Sequence, residues 1–243
     1  MWITPVEAGE AKQVTFERHP LSPVGVPVWS PDGKHIAFVK PPTPGEENGL
    51  WLVNPDGSGE RLVTKGQAGW ADWSADSRWL YYWVVLGSRR IEKLAVETGE
   101  TQVVKTEDAR GLAVAPDGKT LYYVAPLRTL SGVSDYEIRV ASPERAPGRV
   151  LARIPGRRIP DWQLFHPALS RDGKWLAVLL TDGSFTNIWA LPTDGSALRP
   201  LTRFSGRPTF IARRVSWSSD GRFIFASLGM GDSDIVLLDG VIP

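Results

Sequence analysis

Apolar residues in this chain come in short runs, and turn-forming residues separate these runs at regular intervals. The clearest stretch has an apolar run over Val24–Trp29 and a turn at Ser30-Pro31-Asp32-Gly33, where proline presets φ and glycine tolerates a positive φ. Three further runs rich in β-forming residues follow it: His35–Val39, Leu50–Val53 and Glu60–Thr64. Four short strands joined by turns predict an antiparallel four-stranded sheet.

The same pattern occurs five times along the chain. Each copy carries an aspartate in its first turn, and successive aspartates lie 41 to 55 residues apart: Asp32, Asp76, Asp117, Asp172 and Asp220. The copies span approximately 24–64, 69–105, 110–153, 163–203 and 211–240. A repeat of this length with four strands per copy predicts an all-β fold, a β-propeller with one four-stranded antiparallel blade per copy. We expect one domain over residues 1–243, and a longer loop over Pro126–Asp135 in the third copy.

The number of blades depends on the N-terminal residues. The fifth copy ends after the strands Phe223–Leu228 and Ile235–Leu238, so its outermost strand is missing. Ala11–Phe16 has the pattern of such a strand, and the preferred prediction is five blades with residues 11–16 closing the last one, because this pairing hides two strand edges. The alternative is six blades, with Trp2–Val6 and Ala11–Phe16 as the outer half of the sixth.

Composition narrows the range of functions. Hydrophobic residues make up 42% of the chain and charged residues 23%, which is typical of a folded soluble protein. The formal net charge of +1 argues against nucleic acid as a partner. The absence of cysteine excludes disulfides and thiolate chemistry. No apolar stretch is long enough to span a membrane, and the first residues lack the pattern of a signal peptide.

The repeats resemble a known family. The first reads Trp-Ser-Pro-Asp-Gly-Lys over 29–34 and Leu-Trp-Leu-Val-Asn-Pro-Asp-Gly-Ser-Gly-Glu-Arg-Leu-Val-Thr over 50–64, and the fourth is equally close. This is similar to the TolB-type, WD40-like β-propeller repeat, which is also seen in the propeller of tricorn protease. The second and third copies depart from it at Ser77 and Ala115, and nothing here matches the separate α/β domain of TolB. The resemblance implies a platform for interactions in a periplasmic or other extracytoplasmic setting.

Catalytic signatures are absent from the sequence. It contains no G-x-S-x-G, H-E-x-x-H, P-loop or G-x-G-x-x-G motif and only three histidines. His35 occupies a position that is aromatic in most of the other copies, so it is expected to have a packing role. His19 and His166 are expected in solvated loops. We therefore expect no catalytic residues, no metal site and no cofactor.

The best candidate for a binding site is one mouth of the propeller channel. The first strand of each blade lines this channel, and aligning the copies places five residues before these strands at one level: Val26, Trp70, Gly111, His166 and Arg214. The candidates are cationic, aromatic and acidic: Trp70, Arg110, Asp161, His166, Arg213, Arg214 and His19. Such a set could capture a carboxylate, a peptide terminus or a sugar. The alternative is that these residues only plug the channel.

Two functional hypotheses follow from these candidates. The first is a non-catalytic scaffold that binds a protein or peptide partner through the channel mouth and loops, as a monomer or as part of a larger chain. The second is an accessory or substrate-gating propeller of a hydrolase or lyase, which requires His166, Arg214 and Asp161 to converge on one pocket. A sensor domain of a larger protein is a third, weaker possibility.

Overall fold

Strands account for nearly all of the regular structure, as the spacing of apolar residues predicts. The computed structural model describes residues 1–16, 25, 27–40, 47–66, 68–85, 89–129, 132–159, 166–229 and 233–238. The chain divides into two compact units, unit 1 (Met1–Thr106) and unit 2 (Glu107–Pro243). The division falls between the second and third sequence repeats.

Unit 1 contains a two-stranded sheet and two four-stranded antiparallel sheets. Their orders are β1-β2, β3-β4-β5-β6 and β10-β9-β8-β7. The strands are β1 (Trp2–Ile3), β2 (Lys12–Gln13), β3 (Val28–Trp29), β4 (Ile36–Lys40), β5 (Gly49–Val53), β6 (Arg61–Lys65), β7 (Ala68–Trp73), β8 (Trp79–Val84), β9 (Arg90–Ala95) and β10 (Thr101–Lys105).

Unit 2 contains two four-stranded sheets and one sheet with three described strands. Their orders are β11-β12-β13-β14, β15-β16-β17-β18 and β19-β20-β21. The strands are β11 (Arg110–Val114), β12 (Leu121–Thr129), β13 (Gly132–Ala141), β14 (Arg149–Pro155), β15 (Ala168–Leu169), β16 (Trp175–Asp182), β17 (Phe185–Pro192), β18 (Arg199–Pro200), β19 (Phe210–Trp217), β20 (Ile224–Gly229) and β21 (Ser233–Leu238), with a 3-10 helix at Gly156–Arg158.

The repeated turn is held by one hydrogen-bond pattern. In the first repeat the Ser30 hydroxyl donates to Asp32 Oδ1 at 2.6 Å and accepts the His35 backbone N–H at 2.9 Å. The second, fourth and fifth repeats have the same pair of bonds. The third repeat has Ala115 in place of the serine, and there the Thr120 hydroxyl donates to Asp117 instead. This substitution preserves the turn where the sequence departs from its repeat.

Tryptophans at one repeat position join neighbouring first strands within each unit. Trp73 Nε1 donates to the Val28 carbonyl at 3.1 Å in unit 1, and Trp217 Nε1 donates to the Ala168 carbonyl at 2.9 Å in unit 2. Alternate residues of the strands then pack between adjacent sheets as apolar cores. The fold class is therefore confirmed: the protein is all-β, a five-bladed β-propeller.

The N-terminal segment differs from the preferred prediction. Residues 11–16 were expected to be the outer strand of the last sheet, but Lys12–Gln13 pairs with Trp2–Ile3 instead. Met1 and Ile3 pack on the apolar face formed by Ile36, Phe38 and Val53 of the first four-stranded sheet. A hairpin between nearby strands costs little chain entropy, and its apolar residues gain burial on this face, which explains the observed pairing.

The predicted loop at Pro126–Asp135 is also wrong. The second and third strands of this sheet continue through it, so that Leu127 pairs with Asp135 and Thr129 pairs with Gly132. The third repeat is longer because its central hairpin is longer. This hairpin extends five residues past Val124, which pairs with Arg110 at the beginning of β11.

Candidate functional site

The first strands of three blades are irregular at the positions that the sequence alignment brought to one level. The pairing register shifts between Ala68 and Ala71 in β7, between Arg110 and Leu112 in β11, and between Ala212 and Ser216 in β19. A β-bulge releases backbone groups from the ladder and redirects side chains. The shifts lie at Trp70, Gly111 and Arg214, three of the five aligned positions.

Trp70 lies within the bulge of β7 in unit 1 and is half-buried. The preceding residue, Gly69, lies so close to Trp83 that an added Cβ would come within 2.5 Å of the indole ring. A glycine is required there because the neighbouring strand approaches so closely.

His166 lies just before β15 in unit 2 and is only 4% exposed. Its Nε2 accepts the Leu112 backbone N–H at 3.4 Å, and its Nδ1 donates to the Pro167 carbonyl at 3.3 Å. The bulge in β11 leaves the Leu112 N–H available for this bond. The expectation of a solvated loop histidine is therefore wrong, because this imidazole fills a buried position beside the irregular strand.

Burial and charge together keep His166 neutral. Removal from water lowers the pKa of this imidazole well below its usual value, and the guanidinium of Arg214 lowers the pKa further. The hydrogen bond to the Pro167 carbonyl opposes this effect but does not reverse it. Arg214 is half-buried in β19, so its charge acts on His166 from the adjacent blade.

We expect His166 to make the protein less stable in mild acid. The histidine of the unfolded chain takes up a proton as the pH falls below about 6.5, whereas that of the folded chain stays neutral. The free energy of unfolding should therefore fall by up to about 1.4 kcal/mol per pH unit because of this group. Urea unfolding at pH 7.0 and pH 5.5 measures this loss. His166→Gln should show a smaller loss than the wild type, whereas the matched variant His35→Gln should retain it. Equal losses in all three proteins would contradict the assignment.

Arg110 occupies the other bulged strand of unit 2. Its side chain is only 5% exposed, and its Nε lies 3.5 Å from Asp108 Oδ1. Asp108 also binds Arg128 from the extended hairpin, so one carboxylate links the start of β11 to that hairpin. The sequence analysis missed Asp108, although an acidic pair, Glu107-Asp108, directly before a first strand was a usable signal.

The seven predicted site residues fall into three groups. The charge of Arg214 acts on His166, and Arg110 lies on the strand whose Leu112 N–H binds His166. Trp70 is in unit 1, and Arg213 lies in β19 with its side chain outside the described atoms. His19 and Asp161 are outside the described residues, so the predicted convergence of His166, Arg214 and Asp161 stays a prediction.

The site described in unit 2 suits anion binding. Arginine side chains form strong, geometrically specific hydrogen bonds with carboxylates, whereas the neutral imidazole of His166 contributes no charge of its own. Among the described residues no group of three histidines or acidic residues is arranged to hold a metal ion. The part of the chain that is described also includes no helix with the length and apolar character of a membrane span.

Comparison of the coordinates places this chain among β-propeller proteins, and its fold is the one shared by TolB and related propellers. TolB from Acinetobacter baumannii is 17% identical with a TM-score of 0.62, over 89% of this chain and 52% of that one. A puromycin-hydrolyzing peptidase from Mycobacterium tuberculosis is 18% identical with a TM-score of 0.66, over 98% of this chain and 39% of that one. An oligogalacturonate lyase from Vibrio parahaemolyticus is 17% identical with a TM-score of 0.58, over 86% of this chain and 60% of that one.

At these identities the similarity shows the fold alone. This chain spans about half the length of the TolB protein and less of the peptidase. No protein-family model matches the sequence. No curated protein matches it by sequence either.

Proposed function

We propose that this chain is a non-catalytic binding propeller that recognises a protein or peptide partner, with a carboxylate of that partner held at Arg214, beside the buried His166. The observation that carries this proposal is the position of Arg214 in the irregular part of β19, where its guanidinium is close enough to act electrostatically on the buried His166. Arginines are costly to desolvate, and a carboxylate ligand offsets this cost with charge-assisted hydrogen bonds.

The geometry of His166 favours binding over catalysis. A catalytic histidine needs a ring nitrogen that can exchange a proton with substrate or nucleophile. In this chain one ring nitrogen faces the Leu112 N–H and the other faces the Pro167 carbonyl. A histidine bonded to backbone on both sides serves to position the strand and to shape the site, which supports a role without turnover.

A second candidate is an accessory or substrate-gating propeller that presents a ligand to a catalytic partner. The structural likeness to a peptidase and a lyase, each longer than this chain, favours it. Both candidates use the same carboxylate site and differ in whether the bound ligand is later cleaved. We also propose an extracytoplasmic setting, on the resemblance to TolB-type repeats, which fractionation of the source cells would test.

The proposed function predicts a requirement for a free carboxylate. Immobilised protein is offered an equimolar mixture of randomised octapeptides in two forms, with free and with amidated C-termini, and bound peptides are quantified by mass spectrometry. Free acids should bind about tenfold more tightly than amides, which corresponds to one charge-assisted contact.

Arg214→Gln should remove this preference by weakening the free acids about tenfold while leaving the amides unchanged. The matched control is Arg222→Gln, because Arg222 lies in an exposed turn on the fifth sheet and should have no effect. Equal binding of acids and amides to the wild type would overturn the proposal.

A further inference from the structure

A groove of about 260 Å³ lies in unit 2, outside the carboxylate site. One wall is the hairpin between β16 and β17, which contributes Thr181 and Ser184. The other wall is the segment leading into β19, which contributes Pro208 and Phe210. The two walls belong to adjacent blades, the fourth and the fifth.

The groove is formed before a ligand binds, because a hydrogen bond joins its walls. The Thr186 backbone N–H donates to the Thr209 carbonyl at 2.8 Å, and this contact joins the hairpin to the segment. Gly183 has φ of 64°, as a two-residue hairpin turn requires, and Asp182 pairs with Phe185 across the turn. Arg158 binds Asp182 at 2.8 Å from outside. The protein therefore loses little conformational freedom when a ligand binds in this groove.

The groove combines apolar surface with hydroxyl groups and has no charged residue in its lining, which consists of Thr181, Gly183, Ser184, Thr186, Pro208, Thr209 and Phe210. Phe210 is 46% exposed, which is unusual for a phenylalanine, and Pro208 beside it is exposed as well. Both surfaces lose contact with water when an apolar side chain covers them. The Thr181 hydroxyl is buried and has no hydrogen-bond partner among the described residues. The groove therefore suits a bulky apolar side chain better than a charged one.

The groove and the carboxylate site each take a residue from the same strand, β19. Phe210 begins β19, and Arg214 lies four residues later in the same strand. Four extended residues span about 13 Å, and the bulge shortens this distance. A peptide lying beside β19 covers the same distance with three or four residues of its own.

We propose that this groove is a specificity subsite that takes a bulky apolar side chain three or four residues before the C-terminal carboxylate of a peptide ligand. This inference rests on the proposed function, because the carboxylate at Arg214 sets the register. The ligand class is then an extended peptide with a free C-terminus and an apolar residue at a fixed distance from it. The exposed Arg207, next to Pro208, favours acidic residues further upstream.

The test uses synthetic octapeptides of Ala, Ser and Gly with a free C-terminus, in which a single Phe is moved from one position to the next. Fluorescence anisotropy gives each affinity for the full chain. Phe three or four residues before the C-terminus should bind about tenfold more tightly than the peptide without Phe, and other positions should give little gain. An equal gain at every position, or at none, overturns the inference.

Four variants, one of them a control, separate the possible outcomes. Phe210→Ala removes the aromatic ring from one wall, and Ser184→Phe fills the groove from the opposite wall. Either variant should reduce the preference for Phe to less than about twofold without weakening the binding of the peptide that lacks Phe. Val150→Ala is the matched control, because Val150 is an exposed apolar residue elsewhere in unit 2. A preference for Phe that survives both groove variants overturns the subsite. Arg214→Gln should weaken both peptides equally, and if it weakens neither, the proposed carboxylate site fails instead.

Discussion

Replacing Gly49 by alanine should lower the free energy of unfolding by about 3 kcal/mol or more. Gly49 begins β5 with φ of 147°, a backbone conformation that is almost restricted to glycine. A Cβ built there would lie 2.0 Å from the Thr64 carbonyl oxygen on the adjacent strand β6. Because this oxygen belongs to the backbone, the clash can be relieved only by moving the strand, and pairing between β5 and β6 is lost locally.

Urea unfolding followed by tryptophan fluorescence measures this loss. Gly33→Ala is the matched control, since Gly33 also has a positive φ, 72°, but no atom lies within 4 Å of the added Cβ. The control should lose only about 1 to 2 kcal/mol, the conformational cost alone. Equal losses for the two variants would show that the close approach of β5 and β6 contributes nothing to stability.

Glu137→Gln should lower the free energy of unfolding by about 3 kcal/mol at pH 7. Glu137 is 3% exposed on β13, and its carboxylate accepts hydrogen bonds from Arg139 at 2.7 Å and from Arg153 at 2.9 Å. The amide keeps the size of the side chain but removes the charge, so the largely buried Arg139 loses its closest counter-ion. Breaking one partner of a buried pair is costly because the other charge stays desolvated.

The effect of this substitution should depend on pH in a definite direction. Hydrogen bonding from Arg139, with a further contribution from Arg153, lowers the pKa of the Glu137 carboxyl below its usual 4.5. A lowered carboxyl pKa contributes stability above the pKa of the unfolded state, and this contribution disappears as the pH falls through the folded pKa. The difference between wild type and variant should therefore shrink below about pH 4.5. Glu97→Gln is the control, because Glu97 lies in an exposed turn. If the difference in unfolding free energy between the wild type and Glu137→Gln did not depend on pH, the ion-pair interpretation would be contradicted.

The same network supports the proposed site. Arg139 also lies 3.4 Å from Glu107, which accepts a hydrogen bond from the buried Tyr123 hydroxyl. Glu107 is followed by Asp108, which pairs with Arg110 at the start of β11. Ion pairs on the third sheet thus hold Glu107 and Asp108, which precede the bulge. Through these pairs, Arg139 on β13 helps to position Arg110 on β11.

Much of the fold follows from local sequence. The serine and aspartate of the repeated turn lie two residues apart, so their hydrogen bond forms wherever the phrase occurs, and even Ser77 takes the positive φ of the glycine it replaces. The extended hairpin of the third blade was missed because Pro126 and Gly132 suggested a loop. Cross-strand pairing from Leu127 to Asp135 overrode these local preferences.

The site was predicted less completely than the fold. Aligning the repeats brought Gly111, His166 and Arg214 to one level, and the structure has His166 beside Leu112 and under the influence of Arg214. The alignment did not indicate that His166 is buried, that β11 is bulged, or that Asp108 pairs with Arg110. The burial of His166 and the bulge of β11 have no signature in the repeat itself, because the repeats differ at these positions.

The sequence by itself determined the repeat, its five copies, the strand-turn pattern and the residue types at the start of each first strand. These features depend on periodicity and turn chemistry, which act over a few residues. Only the tertiary structure decided the pairing of the N-terminal hairpin, the neutral state of His166 and the groove beside Phe210. The hairpin gains its burial by packing Met1 and Ile3 on Ile36 and Phe38. The other two features depend on groups far apart in the chain, as in the 54 residues between Leu112 and His166, and burial and local charge exist only once those groups are packed together.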